Sequence, residues 1–233
     1  QEGERSNGQH ALSSAIAQID FTVKQAIRTS AFWLISIGHG LTSMVLIAMM
    51  AHLAPLLTDQ GHSLQTASYV VTTYTAVSMV FQVVGGYLGD RVPKHLALFV
   101  FIMIQAVAVF ILTFASETLA TAYVFAVLFG IGFGGRNPLT TSIRGDYFGR
   151  RSFGKIMGVS QVPMNVLLLI APTFAGIMRV IQGDYVFAFA VLGVCNVLGG
   201  VLFLMARNPA PPRDDQTRSA PTSVTPRTTG SDE

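Results

Sequence analysis

Six long apolar stretches separated by short polar turns occupy the middle of this chain: residues 31–57, 67–89, 96–115, 118–142 with an extension towards 148, 153–181 and 185–206. A helix needs about 20 apolar residues to cross a hydrocarbon core of ~30 Å, and a single segment satisfies its backbone in lipid only as a helix. The pattern therefore predicts an all-α membrane protein, with six transmembrane helices over residues 29–206. Residues 1–28 form a polar flank in which Asp20 is expected to cap a short amphipathic helix, FTVKQAIRT. Its Phe21, Val23 and Ile27 are expected to lie on the membrane surface. Residues 207–233 are rich in Pro, Ser, Thr and charge, with almost nothing to bury, and read as a disordered tail. The opening QEGERSNGQH has neither an initiator Met nor a signal peptide and reads as the middle of a linker in a longer protein.

Charge distribution adds orientation. The turns carrying Asp59, Glu117 and Asp184 have no Lys or Arg, whereas the alternate turns carry Arg91 and Lys94, then Arg144, Arg150, Arg151 and Lys155. Lys24, Arg28 and Arg207 flank the bundle, and only Arg179 lies near the other face. The positive-inside bias then places both termini and the turns at 90–95 and 143–155 in the cytoplasm, in a multi-pass protein of the plasma (inner) membrane. The composition agrees, with 51% hydrophobic residues, 12% charged residues and a mean hydropathy of +0.52. Basic residues sit in short turns without aromatic interleaving, which argues against a nucleic-acid partner. The one cysteine, Cys195, has no internal disulfide partner and reads as a small core residue. Trp33, Tyr69, Tyr123, Tyr147 and Tyr185 fall mainly at span ends, as an interfacial belt would.

Within the spans, Arg136 stands out, because a charge at that depth costs a few kcal/mol or more unless it faces a partner, a cavity or the interface. No Asp or Glu falls inside the six spans. His39 and His52 are the titratable groups of the first span and candidate proton relays, although a lone His near an interface also serves as a hydrogen-bonded structural residue. Gln82, Asn137, Gln161 and Asn165 are candidate cavity-lining residues, with Gln161 and Asn165 four apart on one face. Interhelical hydrogen bonding accounts for them equally well. Glycine pairs at four-residue spacing (Gly85 with Gly89, Gly130 with Gly134, Gly154 with Gly158) suit close helix approach in lipid. The run from Gly130 to Gly134 has the look of a nucleotide loop, but it follows no strand and lies in an apolar helix. Pro55, Pro138, Pro163 and Pro172 are expected to bend their helices.

The turn after the second span reads Gly85-Gly-Tyr-Leu-Gly-Asp90-Arg91-Val-Pro-Lys94-His95. It resembles the G-x-x-x-D-R-x-G-R-R loop of the major facilitator superfamily, matching at Gly86, Asp90, Arg91 and Lys94, with Pro93 and His95 departing from the pattern. The stretch 130–158, with Arg136-Asn-Pro138 and Asp146-Tyr-Phe-Gly-Arg-Arg-Ser-Phe-Gly154, and the stretch 20–61 resemble the oxalate/formate antiporter and monocarboxylate-transporter-like group. The resemblance covers residues 20 to about 206. It implies the C-terminal half of a major facilitator fold, one six-helix bundle built as a 3+3 inverted repeat. It further implies a secondary transporter moving a small organic anion by alternating access, with no cofactor and no enzymatic activity. Its partners would be the lipid bilayer, the anion and a second six-helix half.

On that resemblance Arg136 would bind or attract the anion through its planar fork, with Asn137, Gln161, Asn165 and His52 as further substrate-binding candidates. The alternative is that Arg136 reaches the inner interface, or pairs with Asp90 or Asp146 in a gate. Gating would fall to Asp90, Arg91, Lys94, Arg150 and Arg151, with Asp90 holding the start of the fifth span near Arg150, Arg151 and Lys155. Relatives with known anion sites use basic residues on the eighth and eleventh helices. The second span here has none, and the fifth has Arg179 only near its outer end. Two rival functions differ in kind. An intramembrane aspartyl protease needs two carboxylates in one buried site, and both Asp90 and Asp146 abut arginines in turns. A non-transporting remnant or sensor-like membrane protein is the other.

Overall fold

A computed structural model describes residues 20–115 and 118–210, so the expectations for residues 1–19, Glu117 and the tail beyond residue 210 fall outside the described residues. Its helices, in order, are α1 (Val23–Ile27), α2 (Ser30–Asp59), α3 (Leu64–Gly89), α4 (Lys94–Phe114), α5 (Leu119–Phe148), α6 (Phe153–Gln182) and α7 (Val186–Met205). The last six are long and apolar enough to cross a membrane. Local sequence fixes their ends. Thr29, Ser63 and Thr118 accept the N–H groups of Phe32, Thr66 and Thr121, each satisfying one otherwise unpaired donor of a first turn. Pro93 sits just before α4, where its missing N–H costs nothing. Gly183, with φ of 86°, ends α6 in the left-handed region.

The packing scheme has an internal symmetry. Helix α2 packs on α6 and α7, α5 packs on α3 and α4, and α4 packs on α7. Exchanging the first three membrane helices for the last three maps this set of pairs onto itself. Three is an odd number of spans, so the two triplets run in opposite directions, which is a 3+3 inverted repeat. Phe21 N–H donates to the Phe148 carbonyl (3.0 Å), and the Tyr147 hydroxyl donates to the Ala206 carbonyl (2.8 Å). Both ends of the described chain therefore lie at one end of the bundle, called here the terminal end.

Glycines set the closest approaches. A Cβ on Gly85 would lie 2.2 Å from the Gly135 carbonyl oxygen, and one on Gly134 would lie 2.3 Å from that of Ser78. The Gly130–Gly135 run thus lets α3 and α4 close on α5, which accounts for its glycines without any nucleotide. Gly154 and Gly158 meet nothing within 4 Å, so that expected pair makes no close approach inside the chain.

The N-terminal flank also differs from expectation. Thr22, not Asp20, caps α1, in a reciprocal capping box with Gln25. Asp20 Oδ1 instead accepts the backbone N–H groups of Arg150 (3.1 Å) and Arg151 (3.2 Å). Phe21 is buried edge-on against Phe148 and does not rest on a membrane surface. A carboxylate is needed where two N–H groups open a turn before α6. Asp20→Ala should lower bundle stability by about 1 kcal/mol, read as a fall in melting temperature in detergent.

Candidate functional site

Two apolar clusters fill the bundle, one towards each end, and a polar layer separates them. Each of five helices carries buried polar side chains between its two apolar stretches. Helix α2 passes from Ile35 to Val45 through Ser36, Thr42 and Ser43. Helix α4 passes from Ile102 to Ala108 through Gln105, and α5 from Phe129 to Leu139 through Arg136. Helix α6 passes from Ala171 to Ile156 through Ser160, and α7 from Leu192 to Phe203 through Asn196. Polar groups buried at mid-depth in a membrane bundle are expensive unless bonded, and the Arg136, Gln105, Thr42 and Ser160 side chains are bonded across helices.

Arg136 leaves 2% of its surface exposed. Its Nε donates to Gln105 Oε1 (2.8 Å), Nη1 to Thr42 Oγ1 (3.2 Å) and Nη2 to the Thr42 carbonyl (3.3 Å). Its guanidinium also lies 5.5 Å from the centre of the Phe133 ring, a cation–π distance. Arg144 is 1% exposed. Its Nε donates to Ser160 Oγ (2.8 Å), Nη1 to the Thr140 carbonyl (2.6 Å) and Nη2 to His39 Nδ1 (3.2 Å). Ser160 and Ser36 hydroxyls are 2.8 Å apart, and Ser36 donates onward to the Phe32 carbonyl. Every acceptor named is neutral. Among the described residues the ion pairs are Lys94–Asp146 and Arg179–Asp59, and neither involves these two arginines.

A guanidinium has five N–H donors, and each of these two has three acceptors. Among the described residues, the Gln105 amide nitrogen and the Asn196 amide oxygen are buried with no partner. Arg136 in the layer and Arg144, beside Ile143 of the terminal cluster, are thus two buried positive charges that pair with no carboxylate among the described residues. Arg136 and Arg144 lie eight residues apart on one helix face, about 12 Å along the axis, with Thr140 between them donating to the Arg136 carbonyl.

The remaining candidates are distributed as follows. Asn137 and Asn165 are exposed and Gln161 is half-buried, and none makes a hydrogen bond among the described residues. His52 lies apart from the layer, towards the end opposite the termini. There its Nε2–H donates to the Pro172 carbonyl (3.0 Å) and the Tyr185 hydroxyl donates to Nδ1 (3.3 Å), tying α2 to α6 and the start of α7. Asp90, at the end of α3, is exposed and has no ion pair among the described residues, and Arg91 stacks over Tyr87 at 4.2 Å. Lys94 pairs with Asp146, and the Arg150–Arg151 turn is held by Asp20, so Asp90 is not joined to that turn here. Arg136 pairs with neither Asp90 nor Asp146, since its helix places it in the layer, well above both.

Sequence reasoning missed Arg144, which was expected in a cytoplasmic turn. Helix α5 runs on to Phe148 and carries it inward, and the spacing Arg136, Thr140, Arg144 at four-residue intervals was the available signal. Tyr147 and Tyr185 are also buried and do not join an interfacial belt, because their hydroxyls find the Ala206 carbonyl and His52. Cys195 is half-exposed on an apolar groove with Phe110 and Phe187, not in the core.

Six membrane-length helices in two inverted triplets, with polar side chains at their middle, define a multi-pass membrane transporter fold. The chain belongs to the Major Facilitator Superfamily, whose family model matches residues 28–230. It is similar to monocarboxylate transporter 13 of Rattus norvegicus, at 26% identity over 156 residues covering 66% of this chain and 36% of the relative. An MFS-type transporter of Aspergillus fumigatus is 23% identical over 181 residues, covering 78% and 41%. Among solved structures, the POT family transporter PepTSo superposes with a TM-score of 0.67 at 21% identity, over 79% of this chain and 39% of that one. A sulfate complex of a mutant peptide transporter POT superposes at 0.66 and 19%, over 81% and 42%. The chain therefore spans less than half the length of the curated relatives it matches.

Proposed function

We propose that this chain is one six-helix half of a secondary transporter that carries a small organic anion, such as a monocarboxylate, by alternating access. The observation that carries the reading is the pair of buried guanidinium groups, Arg136 and Arg144, bonded only to neutral acceptors. A unit charge ~7 Å from one of them, at an effective dielectric constant of about 20, gains roughly 2 kcal/mol. An anion reaching this face is attracted, and a cation is repelled by a similar amount. The names of two relatives as monocarboxylate transporter 13 support the same substrate class.

The second half is assigned to the face where the bundle is least closed. On α6 only Ile156, Ser160, Ala171 and Ala175 are buried, and α3 is similarly bare. These helices occupy equivalent places in the two triplets, α3 against α5 and α6 against α2, and α5 carries both buried arginines. Asn137, Gln161 and Asn165, free of internal bonds, are the substrate-contacting residues in this arrangement, and Arg136 acts from behind them. The terminal end is cytoplasmic, in a plasma or inner membrane, because it carries Lys24, Arg28, Lys94, Arg150, Arg151 and Lys155. Asp90, Arg91, Lys94, Arg150 and Arg151 act in a gate at that end, with the Lys94–Asp146 pair as the link formed in this state.

The test is selectivity. Vesicles holding the complete transporter should accumulate labelled lactate, and excess unlabelled pyruvate should suppress this, whereas the uncharged amide of lactate should not. Equal competition by the amide would remove the anion reading.

A further inference from the structure

The terminal end of the bundle holds a cavity of about 610 Å³ between α4, α5 and α7, within the size range of small-molecule sites. Lys94 and His95 form one wall, Asp146 a second, and Leu204, Arg207 and Asn208 a third. These polar groups divide by what already satisfies them. Asp146, the one carboxylate lining the cavity, is paired with Lys94. His95, Arg207 and Asn208 make no hydrogen bond or ion pair among the described residues. Helix α4 begins at the same wall without a side-chain cap, and the positive end of its dipole adds to the cations. What is left unused is therefore donors and positive charge, which suit an anion with several acceptor oxygens. A phosphate group has that form, and the planar fork of Arg207 can bond two of its oxygens.

The setting indicates where such a phosphate comes from. Every exposed side chain of α4 and α7 is apolar, among them Leu96, Val100, Leu204 and Met205. Helices α3 and α6 differ, since they expose Gln82 and Asn165. The α4 and α7 faces are thus the ones suited to lipid tails. Leu204 belongs both to that apolar face and to the cavity wall, and Arg207 follows the end of α7 by two residues. The cavity therefore adjoins the level where acyl chains give way to headgroups. Basic pockets between membrane helices recognise acidic headgroups at this level.

We propose that this cavity binds the phosphate of an anionic phospholipid headgroup, held by Arg207, His95, Asn208 and the start of α4. Lys94 remains with Asp146. The lipid ties the start of α4 to the residues after α7, two segments that share no hydrogen bond among the described residues. A ligand bound only by the folded bundle raises its stability by mass action. The site is separate from the buried arginines, and it stands whether or not the bundle carries an organic anion.

The experiment uses the full chain in a neutral detergent, with bound lipid counted by native mass spectrometry and unfolding followed on heating. Phosphatidylglycerol should bind roughly fivefold or more tightly than phosphatidylcholine of the same acyl chains. It should also raise the melting temperature increasingly as it is added. Arg207→Gln should weaken phosphatidylglycerol binding about fivefold, the effect of one basic residue near an acidic lipid. Its lipid-free melting temperature should not change, because Arg207 makes no bond among the described residues. Arg28→Gln removes an exposed cation that does not line the cavity, and should change binding by less than about twofold. Equal losses from the two variants would reduce the effect to a diffuse basic surface and overturn the site. Equal binding of phosphatidylcholine would overturn it as well. Sodium phosphate, compared with sodium chloride at matched ionic strength, should not reproduce the Arg207-dependent rise in melting temperature. If it does, the cavity takes a soluble phosphate and the lipid assignment falls.

Discussion

Arg136→Met should reduce saturable anion uptake by about two orders of magnitude, because removing a buried, hydrogen-bonded charge costs roughly 2–5 kcal/mol of the interaction it supports. Arg136→Lys should recover only part, since an ammonium cannot reach Gln105 Oε1 and both oxygens of Thr42 in the geometry of the fork. Stability should move differently. Arg136→Met alone strands the Gln105 amide, so the fold weakens. The pair Arg136→Met with Gln105→Leu removes both ends of the bond, and replacing buried polar or ionic groups by apolar ones of similar volume is often neutral or stabilising. That double variant should melt no lower than the unmodified chain and still fail to transport. Full uptake by a well-folded double variant would show that the arginine only packs.

The second large effect is steric and separates adjacent residues. Gly85→Leu should prevent α3 from seating on α5, because even a Cβ there would lie 2.2 Å from the Gly135 carbonyl oxygen and 2.8 Å from its Cα. The obstacle is backbone, so no side-chain rotation relieves it. Expected destabilisation is at or above the roughly 1–3 kcal/mol typical of overpacking, with loss of the folded peak in size-exclusion chromatography. Gly86→Leu, one residue on, meets open space and should leave expression and melting temperature close to normal. Similar behaviour of the two variants would contradict the close α3–α5 approach.

The helices were legible because the bilayer demands them. Apolar runs of the required length, ended by Thr, Ser, Pro and Gly, located all six spans to within a few residues. Buried polar partners were less legible, since they are set by which helices meet across the bundle. Nothing near Arg136 in sequence names Thr42 or Gln105, which lie 94 and 31 residues away. Arg144 was misplaced because cationic residues near a span end read as a turn, and only helix continuation to Phe148 separates the two cases. Asp20 was expected to cap the short helix that follows it, but Thr22 does so, and the N–H partners of Asp20 lie 130 and 131 residues further on. Glycines divided in the same way. Gly130 and Gly134 found partners in α3, while the equally spaced Gly154 and Gly158 found none inside the chain.

The proposal that this bundle is one wall of a two-walled carrier is tested most directly by lactate uptake into vesicles prepared from this chain alone and from this chain together with a first six-helix half. Background uptake is expected for the solitary chain and saturable, arginine-dependent uptake for the assembled pair. Saturable uptake by the solitary chain, shown to be monomeric in the same vesicles, would contradict it.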